Sequence, residues 1–333
     1  MSPVSPRIGR RGLIVGGAAA ALLGACGRGT APTDSQGRVR LRLALDAPAG
    51  LAQAGVFQAL ASGGFEKQRL TVEMLSGEGG LGERLAASAA ELALASDGLT
   101  ALDLAAQRAP VRAVAAFFQK SPLAFFARGA GGLASAGDLR DRPILIDPED
   151  ARLLWPWLRA RYGLSEDQRQ PASVEGFFDT PRAVLVGDLL TTPEAVLQTR
   201  PAIRPAADDG YPPYGGALLV PTAFARDNAR ALRGFIAAVV EGWRDYLQGD
   251  PGAAHALMRR AAPQLTERAQ LAARDRLKTF ALVDGGDAAL FGLGAMTTER
   301  WVMTSEAAVQ AGLFAAAPPA RDLFTDAYLP GRG

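Results

Sequence analysis

The chain lacks the residue types on which most catalytic and metal sites depend. Its 333 residues include one cysteine, Cys26, and one histidine, His255. An internal disulfide and a metal site built on His or Cys are therefore excluded, and we predict neither a cofactor nor a metal. His255 lies in a predicted helix, so we interpret it as a surface or capping residue. The acidic pair Asp208 and Asp209 precedes a glycine and is typical of a solvated turn, so we predict that the protein is not an enzyme.

An excess of charge of either sign is also absent. The 36 Lys and Arg residues nearly balance the 34 Asp and Glu residues, and Arg7, Arg10 and Arg11 lie in an N-terminal segment that we predict to be removed. A nucleic-acid surface needs clustered positive charge, so we predict no nucleic-acid partner. With 48% hydrophobic residues, the chain is long enough to bury a large core divided between two lobes.

No long apolar run follows the N-terminal arginines. Residues 13–23 are apolar but too few to span a bilayer, and they suit the core of an export signal. They lead into Leu23-Gly24-Ala25-Cys26, which resembles the bacterial lipobox. We predict a signal peptide over residues 1–25, lipidation of Cys26 and a flexible tether over residues 26–37, which gives an exported lipoprotein on the periplasmic side. A plain cleaved signal and a buried thiol remain alternatives, and Arg10-Arg11 leaves Sec and twin-arginine export both open.

From residue 39 onward, strand and helix patterns alternate. Apolar residues at every second position predict a strand over 39–45, and helical spacing after a turn predicts a helix over 51–60. Further strands are predicted at 70–75, 92–95, 111–118, 123–127, 144–146, near 189–191, and at 217–220. This alternation is typical of an α/β fold with largely parallel sheets.

The last third of the chain has mainly helical patterns. Residues 222–247 predict one long helix, in which Leu232, Phe235 and Val239 share an apolar face. Shorter helices are predicted over 253–261, 267–280 and 297–311. We divide the folded body into a first lobe over 38–127, a second lobe over 128–214, and a return to the first lobe with C-terminal helices over 215–333.

Several segments together carry a resemblance to a known family. They are residues 64–73 (Gly-Phe-Glu-Lys-Gln-Arg-Leu-Thr-Val-Glu), 109–115, 234–251 with Gly242-Trp243, Trp301, and 323–330 (Leu-Phe-Thr-Asp-Ala-Tyr-Leu-Pro). The set resembles the SsuA/THI5-like group of bacterial solute-binding proteins, and the last segment resembles the branch that binds a thiamine pyrimidine precursor. The resemblance implies a two-lobed periplasmic binding protein of type II, with a sheet in each lobe and a ligand cleft between them. It also implies a monomer that delivers a small organic solute to an ABC permease and ATPase.

The turn after the first strand departs from that branch. Its members typically read Leu-Asp-Trp-Thr-Pro-Asn-Pro-Asn-His-Ala-Gly, where residues 45–55 here read Leu-Asp-Ala-Pro-Ala-Gly-Leu-Ala-Gln-Ala-Gly. Asp46 and Gly55 are kept, whereas Ala47 replaces the tryptophan and Gln53 replaces the histidine. An aromatic platform and amide hydrogen bonds are therefore missing at these positions.

The turns after the strands of both lobes are predicted to line the cleft. The predicted ligand-binding residues are Asp46, Gln53, Gly79, Gly80, Ser96, Asp97, Gln119, Ser121, Asp147, Glu194 and Tyr214. Carboxylates at helix N-termini repel anions, although Asp and Ser at such places are also common N-caps. The aromatic residues Tyr211, Tyr214, Phe177 and Phe178 either stack on the ligand or belong to the lobe cores.

These features favour a neutral or amine-bearing ligand. We predict a thiamine pyrimidine precursor or a related nitrogen heterocycle as the solute of the importer. A sulfonate-type or nitrate-type binding protein remains an alternative, and so does a periplasmic ligand-sensing module without a transporter.

Overall fold

Ten strands form the two sheets of the computed structural model, which describes residues 31–77, 80–129 and 133–331. The strands are β1 Val39–Leu45, β2 Leu70–Ser76, β3 Leu92–Asp97, β4 Val111–Phe118, β5 Leu123–Ala127, β6 Ile144–Ile146, β7 Arg169–Pro171, β8 Val184–Asp188, β9 Ala202–Pro205 and β10 Gly215–Pro221. The predicted lipidation site Cys26, the signal peptide and Gly79 lie outside the described residues.

Helices cover both sheets. They are α1 Ala54–Ala61, α2 Gly64–Lys67, α3 Leu81–Ala86, α4 Leu99–Ala106, α5 Pro148–Tyr162, α6 Val174–Asp179, α7 Glu194–Gln198, α8 Thr222–Asp227, α9 Ala229–Gln248, α10 Gly252–Ala261, α11 Glu267–Thr279, α12 Ala288–Phe291, α13 Thr298–Gln310 and α14 Ala320–Leu323. Short 3₁₀ helices occur at Leu51–Gln53, Ala136–Leu139, Glu166–Gln168 and Ala206–Asp209. Within the described part of the chain, no helix combines the length and apolar character needed to cross a bilayer.

Each sheet contains five strands and is mixed rather than wholly parallel. The first sheet has the order β2-β1-β3-β10-β4, with β10 antiparallel to both of its neighbours. The second has the order β7-β6-β8-β5-β9, with β5 antiparallel to both of its neighbours. The predicted α/β class is therefore right, and the reversed strands are the two that follow directly on the connections between the sheets.

The chain passes between the two sheets twice. Residues 119–122 connect β4 to β5, and residues 206–214 connect β9 to β10. We assigned β5 to the first lobe from the sequence, but it pairs with β8 and β9 in the second sheet. The first crossing consequently precedes Leu123. The strands next to the crossings lie at the hinge side, and the edge strands β2 and β7 lie at the end of each sheet away from the crossings.

Three strands of the second lobe and one helix of the first lobe differ from the sequence prediction. The strand expected near 189–191 is β8, which ends at Asp188, and the edge strands β7 and β9 were not predicted. The expected helix over 222–247 is divided at Asn228 into α8 and α9. Asn228 donates its side-chain amide to the Phe224 carbonyl and accepts the backbone N–H of Ala31, so it is fixed in a non-helical conformation.

Helices α1 and α9 approach each other closely behind the first sheet. A Cβ on Gly242 would lie 2.2 Å from the Gly55 carbonyl oxygen, and a Cβ on Gly55 would lie 2.4 Å from the Trp243 ring. Trp243 is fully buried and meets Phe118 of β4 edge-on. The glycines thus allow a helix contact that fixes α1, and with it the turn after β1.

Candidate functional site

A cavity of about 310 Å³ lies at the carboxyl edge of the second sheet. It opens beyond the ends of β6, β7 and β8, where an α/β sheet usually binds its ligand. The lining residues are Asp147, Asp150, Ala172, Ser173, Val174, Leu185, Val186, Gly187, Asp188, Thr191, Thr192 and Pro193. They include three carboxylates and three hydroxyl groups but no lysine or arginine, so the cavity is an acceptor-rich, negatively charged site.

Burial and mutual repulsion perturb the carboxylates of this cavity. The pKa of Asp150 is raised to about 6, first by burial and then by the negative charges of Asp147 and Asp188. Burial also raises the pKa of Asp188, although its carboxylate accepts the backbone N–H groups of Leu190 at 2.6 Å and Thr191 at 3.1 Å. The carboxylate of Asp188 is therefore held by backbone donors, whereas the carboxylate of Asp150 is available to a ligand donor or a proton.

Two further acidic side chains lie in the first lobe. Asp46, after β1, accepts the backbone N–H of Ser96 at 2.6 Å and its hydroxyl at 2.7 Å. Asp97, at the end of β3, accepts the N–H of Leu99 at 3.0 Å and caps α4. Burial is the main reason why the pKa of Asp97 is raised to about 6, and repulsion from Asp46 adds to it. The negative charge of Asp97 also makes a small contribution to the raised pKa of Asp150.

The structure thus brings Asp46, Ser96, Asp97 and Asp147 to the cleft edges of the two sheets, at the ends of β1, β3 and β6. Asp147 lines the cavity itself at the start of α5. Glu194 follows the cavity residue Pro193, but its carboxylate pairs with Arg268 at 2.9 Å. Their roles toward a ligand remain predictions.

Other predicted cleft residues have structural partners instead. Gln53 is buried and accepts the backbone N–H of Gly50, which closes its own turn. Gln119 is fully buried at the first crossing and donates to the carbonyls of Ala116 and Ala295. Ser121 is buried and accepts the N–H of Leu123, and the exposed Gly80 begins α3. Gln53, the side-chain N–H of Gln119 and Ser121 thus bond to the chain's own turns, whereas the buried carbonyl oxygen of Gln119 has no partner among the described residues. Contact of these three residues with a ligand stays a prediction.

Tyr214 is also a structural residue. It is fully buried at the second crossing, donates its hydroxyl to Asp287 and accepts the backbone N–H of Thr297 at 2.9 Å. The guanidinium of Arg300 lies 4.1 Å from the centre of its ring and donates to the Pro212 carbonyl. Burial and the bond to Asp287 raise the pKa of Tyr214 well above its usual value. These bonds form an internal network that joins the second crossing to the C-terminal helices, and contact of Tyr214 with a ligand stays a prediction.

The remaining aromatic candidates belong to the lobe core or the surface. Phe177 is fully buried, whereas Phe178 is partly exposed beneath the guanidinium of Arg128. Tyr211 is buried against Trp157. None of the three lines the cavity.

Two polar residues outside the cleft, His255 and Asp209, are less exposed than the sequence predicts. His255 is buried rather than at the surface, and its ring lies 3.0 Å from the Tyr246 hydroxyl, while burial lowers the pKa of the imidazole. The carboxylate of Asp209 is largely shielded and accepts hydrogen bonds from two guanidinium nitrogens of Arg204, at 3.0 and 3.1 Å. Asp209 is therefore not a solvated turn residue. Asp208 pairs with Lys120 at 2.8 Å.

The sequence prediction missed several cavity residues. Asp150, Asp188, Thr191 and Thr192 line the cavity but were absent from the predicted set. Because the strand was placed at 189–191, Asp188 fell before its start instead of at the carboxyl end of β8. A signal was nevertheless present, since Asp188 is the first charged residue after the apolar segment 183–186.

Comparison with known proteins identifies the family. The NMT1/THI5-like family pattern matches residues 52–254. The chain belongs to this family. The riboflavin-binding protein RibY of Chloroflexus aurantiacus is 26% identical over 252 residues, which cover 72% of this chain and 71% of that protein. The predicted membership of the SsuA/THI5-like group is therefore confirmed.

Solved structures confirm the fold. The periplasmic aliphatic sulphonate binding protein SsuA from Escherichia coli matches with a TM-score of 0.64 at 12% identity, over 86% of this chain and 92% of that one. The desulfurization enzyme DSZB matches with a TM-score of 0.56 at 13% identity, over 87% of this chain and 97% of that one. Family and fold together place this NMT1/THI5-like chain among the periplasmic solute-binding proteins.

Proposed function

We propose that this protein is the binding component of an ABC importer for a nitrogen heterocycle that carries hydroxyl or amino groups. The ligand enters between the lobes, is held by the acidic cavity and stabilises the closed form that the permease recognises. The protein acts as a monomer, anchored on the periplasmic side through acylated Cys26. The family assignment supports the binding role, and the position of the cavity supports the site.

The single observation that carries the ligand class is the charge of the cavity. Asp147, Asp150 and Asp188 line it, and none of its lining residues is basic. An anion such as a sulfonate would have to lose its hydration and approach these carboxylates, which is unfavourable. Hydroxyl, amino and imide N–H groups instead donate to carboxylate oxygens.

Two ligands of this class deserve direct comparison. Riboflavin, the ligand named for the relative RibY, has a ribityl chain with several hydroxyl donors. An aminopyrimidine precursor of thiamine has an amino and a hydroxyl donor on a smaller ring. Because Ala47 replaces the tryptophan of the pyrimidine branch and the cavity lining contains no aromatic residue, recognition here depends on hydrogen bonds more than on stacking.

Calorimetric titration of the purified protein at pH 7.5 tests the ligand class. We expect saturable binding of riboflavin or of the aminopyrimidine and no binding of an alkanesulfonate or nitrate. Binding of the sulfonate alone would contradict the proposed function.

Substitutions in the cavity test the site. Asp150→Asn and Asp188→Asn keep the shape but remove the negative charge, and a lost charge-assisted hydrogen bond of about 1.5–3 kcal/mol weakens affinity by roughly 10- to 100-fold. Asp141→Asn is the matched control. Asp141 is an exposed residue in the turn before β6, at the amino end of the strand, whereas the cavity lies beyond its carboxyl end. Unchanged affinity in both cavity variants would exclude this cavity as the binding site.

A further inference from the structure

Three arginine side chains connect the lobes on either side of the cavity. Arg152 on α5 donates to both carboxylate oxygens of Asp103 on α4, at 2.7 and 2.6 Å. Arg268 on α11 pairs with Glu194 on α7 at 2.9 Å, and Arg276 on α11 donates to the Leu189 carbonyl. Helices α5 and α7 follow strands of the second sheet, whereas α4 follows β3 of the first sheet. The contacts therefore link parts of the chain that separate when the cleft opens.

The contacts also lie beside the residues that line the cavity. Arg152 is two positions after Asp150, and Leu189 directly follows Asp188. Glu194 directly follows Pro193. One link thus lies on the α5 side of the cavity and two lie on the α7 side. None of the three arginines lines the cavity, so they are placed to hold the lobes together without binding the ligand.

We propose that Asp103 and Arg152 form an interlobe latch that sets the balance between open and closed forms. The latch deepens the proposed function, because its effect on ligand affinity rests on binding by lobe closure. Asp103 and Arg152 are positioning residues, and they act on the ligand only through the population of the closed form. This link is bidentate, because both carboxylate oxygens of Asp103 accept from Arg152, and that geometry distinguishes it from the other two.

The strength of the latch follows from its exposure. Its side chains are 42% and 28% exposed, so solvent screens the pair and it resembles a good surface ion pair. Such a pair changes an equilibrium by up to about fivefold. The apparent dissociation constant of a ligand that binds the closed form rises by nearly the same factor where that form is the minor one throughout, and by less where it predominates.

Double electron–electron resonance, which measures the distance between two nitroxide labels, tests the latch without any ligand. The full chain carries Cys26→Ser and nitroxides at Gly77→Cys and Glu175→Cys, which follow the edge strands β2 and β7 on the side of the sheets away from the crossings. A side chain at Gly77 meets no atom within 4 Å, so the label is tolerated there. We expect a population at the short, closed distance at low salt, and Asp103→Asn should reduce the ratio of closed to open molecules by up to about fivefold.

Two variants separate a latch from a merely structural pair. Asp103→Glu keeps the charge and should restore most of the closed population. Glu73→Gln removes the partner of Arg40 at 2.7 Å within the first sheet, and it should leave the distances unchanged. Melting temperatures are measured in parallel, so that a shift in distance is assigned to closure only in variants that stay folded.

The outcomes decide between the two proposals. A distance distribution that is the same in the parent and Asp103→Asn, or a parent with only the open distance, would overturn the latch. Failure of every tested ligand to bind, with the Asp103→Asn shift still present, would instead overturn the proposed function and leave the latch standing.

Discussion

Tyr214 shows how a residue can look like part of a ligand site and yet serve the fold. It follows the second crossing between the lobes, where an aromatic side chain is well placed to stack on a ligand. In the structure, its hydroxyl connects Asp287 to the backbone of Thr297, and Arg300 covers its ring. The residue therefore stabilises the hinge side of the first lobe.

We predict that Tyr214→Phe lowers the free energy of unfolding by about 1–3 kcal/mol, because the partly buried N–H of Thr297 and the carboxylate of Asp287 each lose a hydrogen-bond partner. Ligand affinity should stay within about twofold of the parent value, since the ring remains and the cavity is untouched. Chemical denaturation and calorimetric titration check the two parts.

A large loss of affinity in a variant with parental stability would contradict this structural role. It would return Tyr214 to the ligand site proposed from sequence.

At the scale of the elements, the contact between α1 and α9 depends on Gly242. A methyl group there would lie 2.2 Å from the Gly55 carbonyl and 2.9 Å from the Ala59 backbone nitrogen. We expect Gly242→Ala to destabilise the protein by about 1–3 kcal/mol, despite the higher helix propensity of alanine. Urea denaturation measures the change.

Gly77→Ala is the control for this substitution. A Cβ at Gly77 meets nothing within 4 Å, so its stability should change by less than about 0.5 kcal/mol. Equal effects of the two alanines would mean that α1 and α9 tolerate a wider spacing.

Sequence patterns were sufficient to predict the bounds of some strands but not of others. Strands β1 and β4 have the predicted bounds, because each is a long apolar or alternating run that ends at a turn. The three-residue edge strand β7, Arg-Gln-Pro, has no apolar pattern and exists only because β6 lies beside it. The end of β8 was misplaced because residues 183–186 and 189–190 are both apolar, and only pairing with β5 and β6 shows which part is strand.

At the scale of the whole molecule, burial perturbs one acidic side chain in each lobe. Asp97 of the first lobe and Asp150 of the second both have a pKa raised to about 6, mainly by burial. In the unfolded chain these carboxyls titrate near 4. The folded protein therefore holds more protons between about pH 4 and 6, and the stability that these protons provide is lost as the pH rises through about 6.

We predict that Asp150→Asn is more stable than the parent at pH 7.5, by on the order of 1 kcal/mol, because the cost of the buried charge is removed. The advantage should shrink as the pH falls towards 4, where the parent carboxyl is protonated. Denaturation curves at pH 4.5, 6 and 7.5 measure it, with Asp141→Asn as the matched loss of one exposed carboxylate.

An advantage of Asp150→Asn that is independent of pH would show that this carboxyl is not held away from water. The same substitution is expected to weaken ligand binding, so stability and function are opposed at this residue.

The amino-acid sequence by itself determined the family, the α/β class and most of the strands, because these depend on local periodicity and on an ordered set of segments. It also indicated acidic turns at the cleft edges of both lobes. The tertiary structure alone decided which polar residues are available to a ligand. Gln53 and Tyr214 make internal hydrogen bonds, whereas Asp150 lies at the cavity beside the like charges of Asp147 and Asp188. Burial and the choice of hydrogen-bond partner depend on segments that are far apart in the chain, and local sequence carries no record of either.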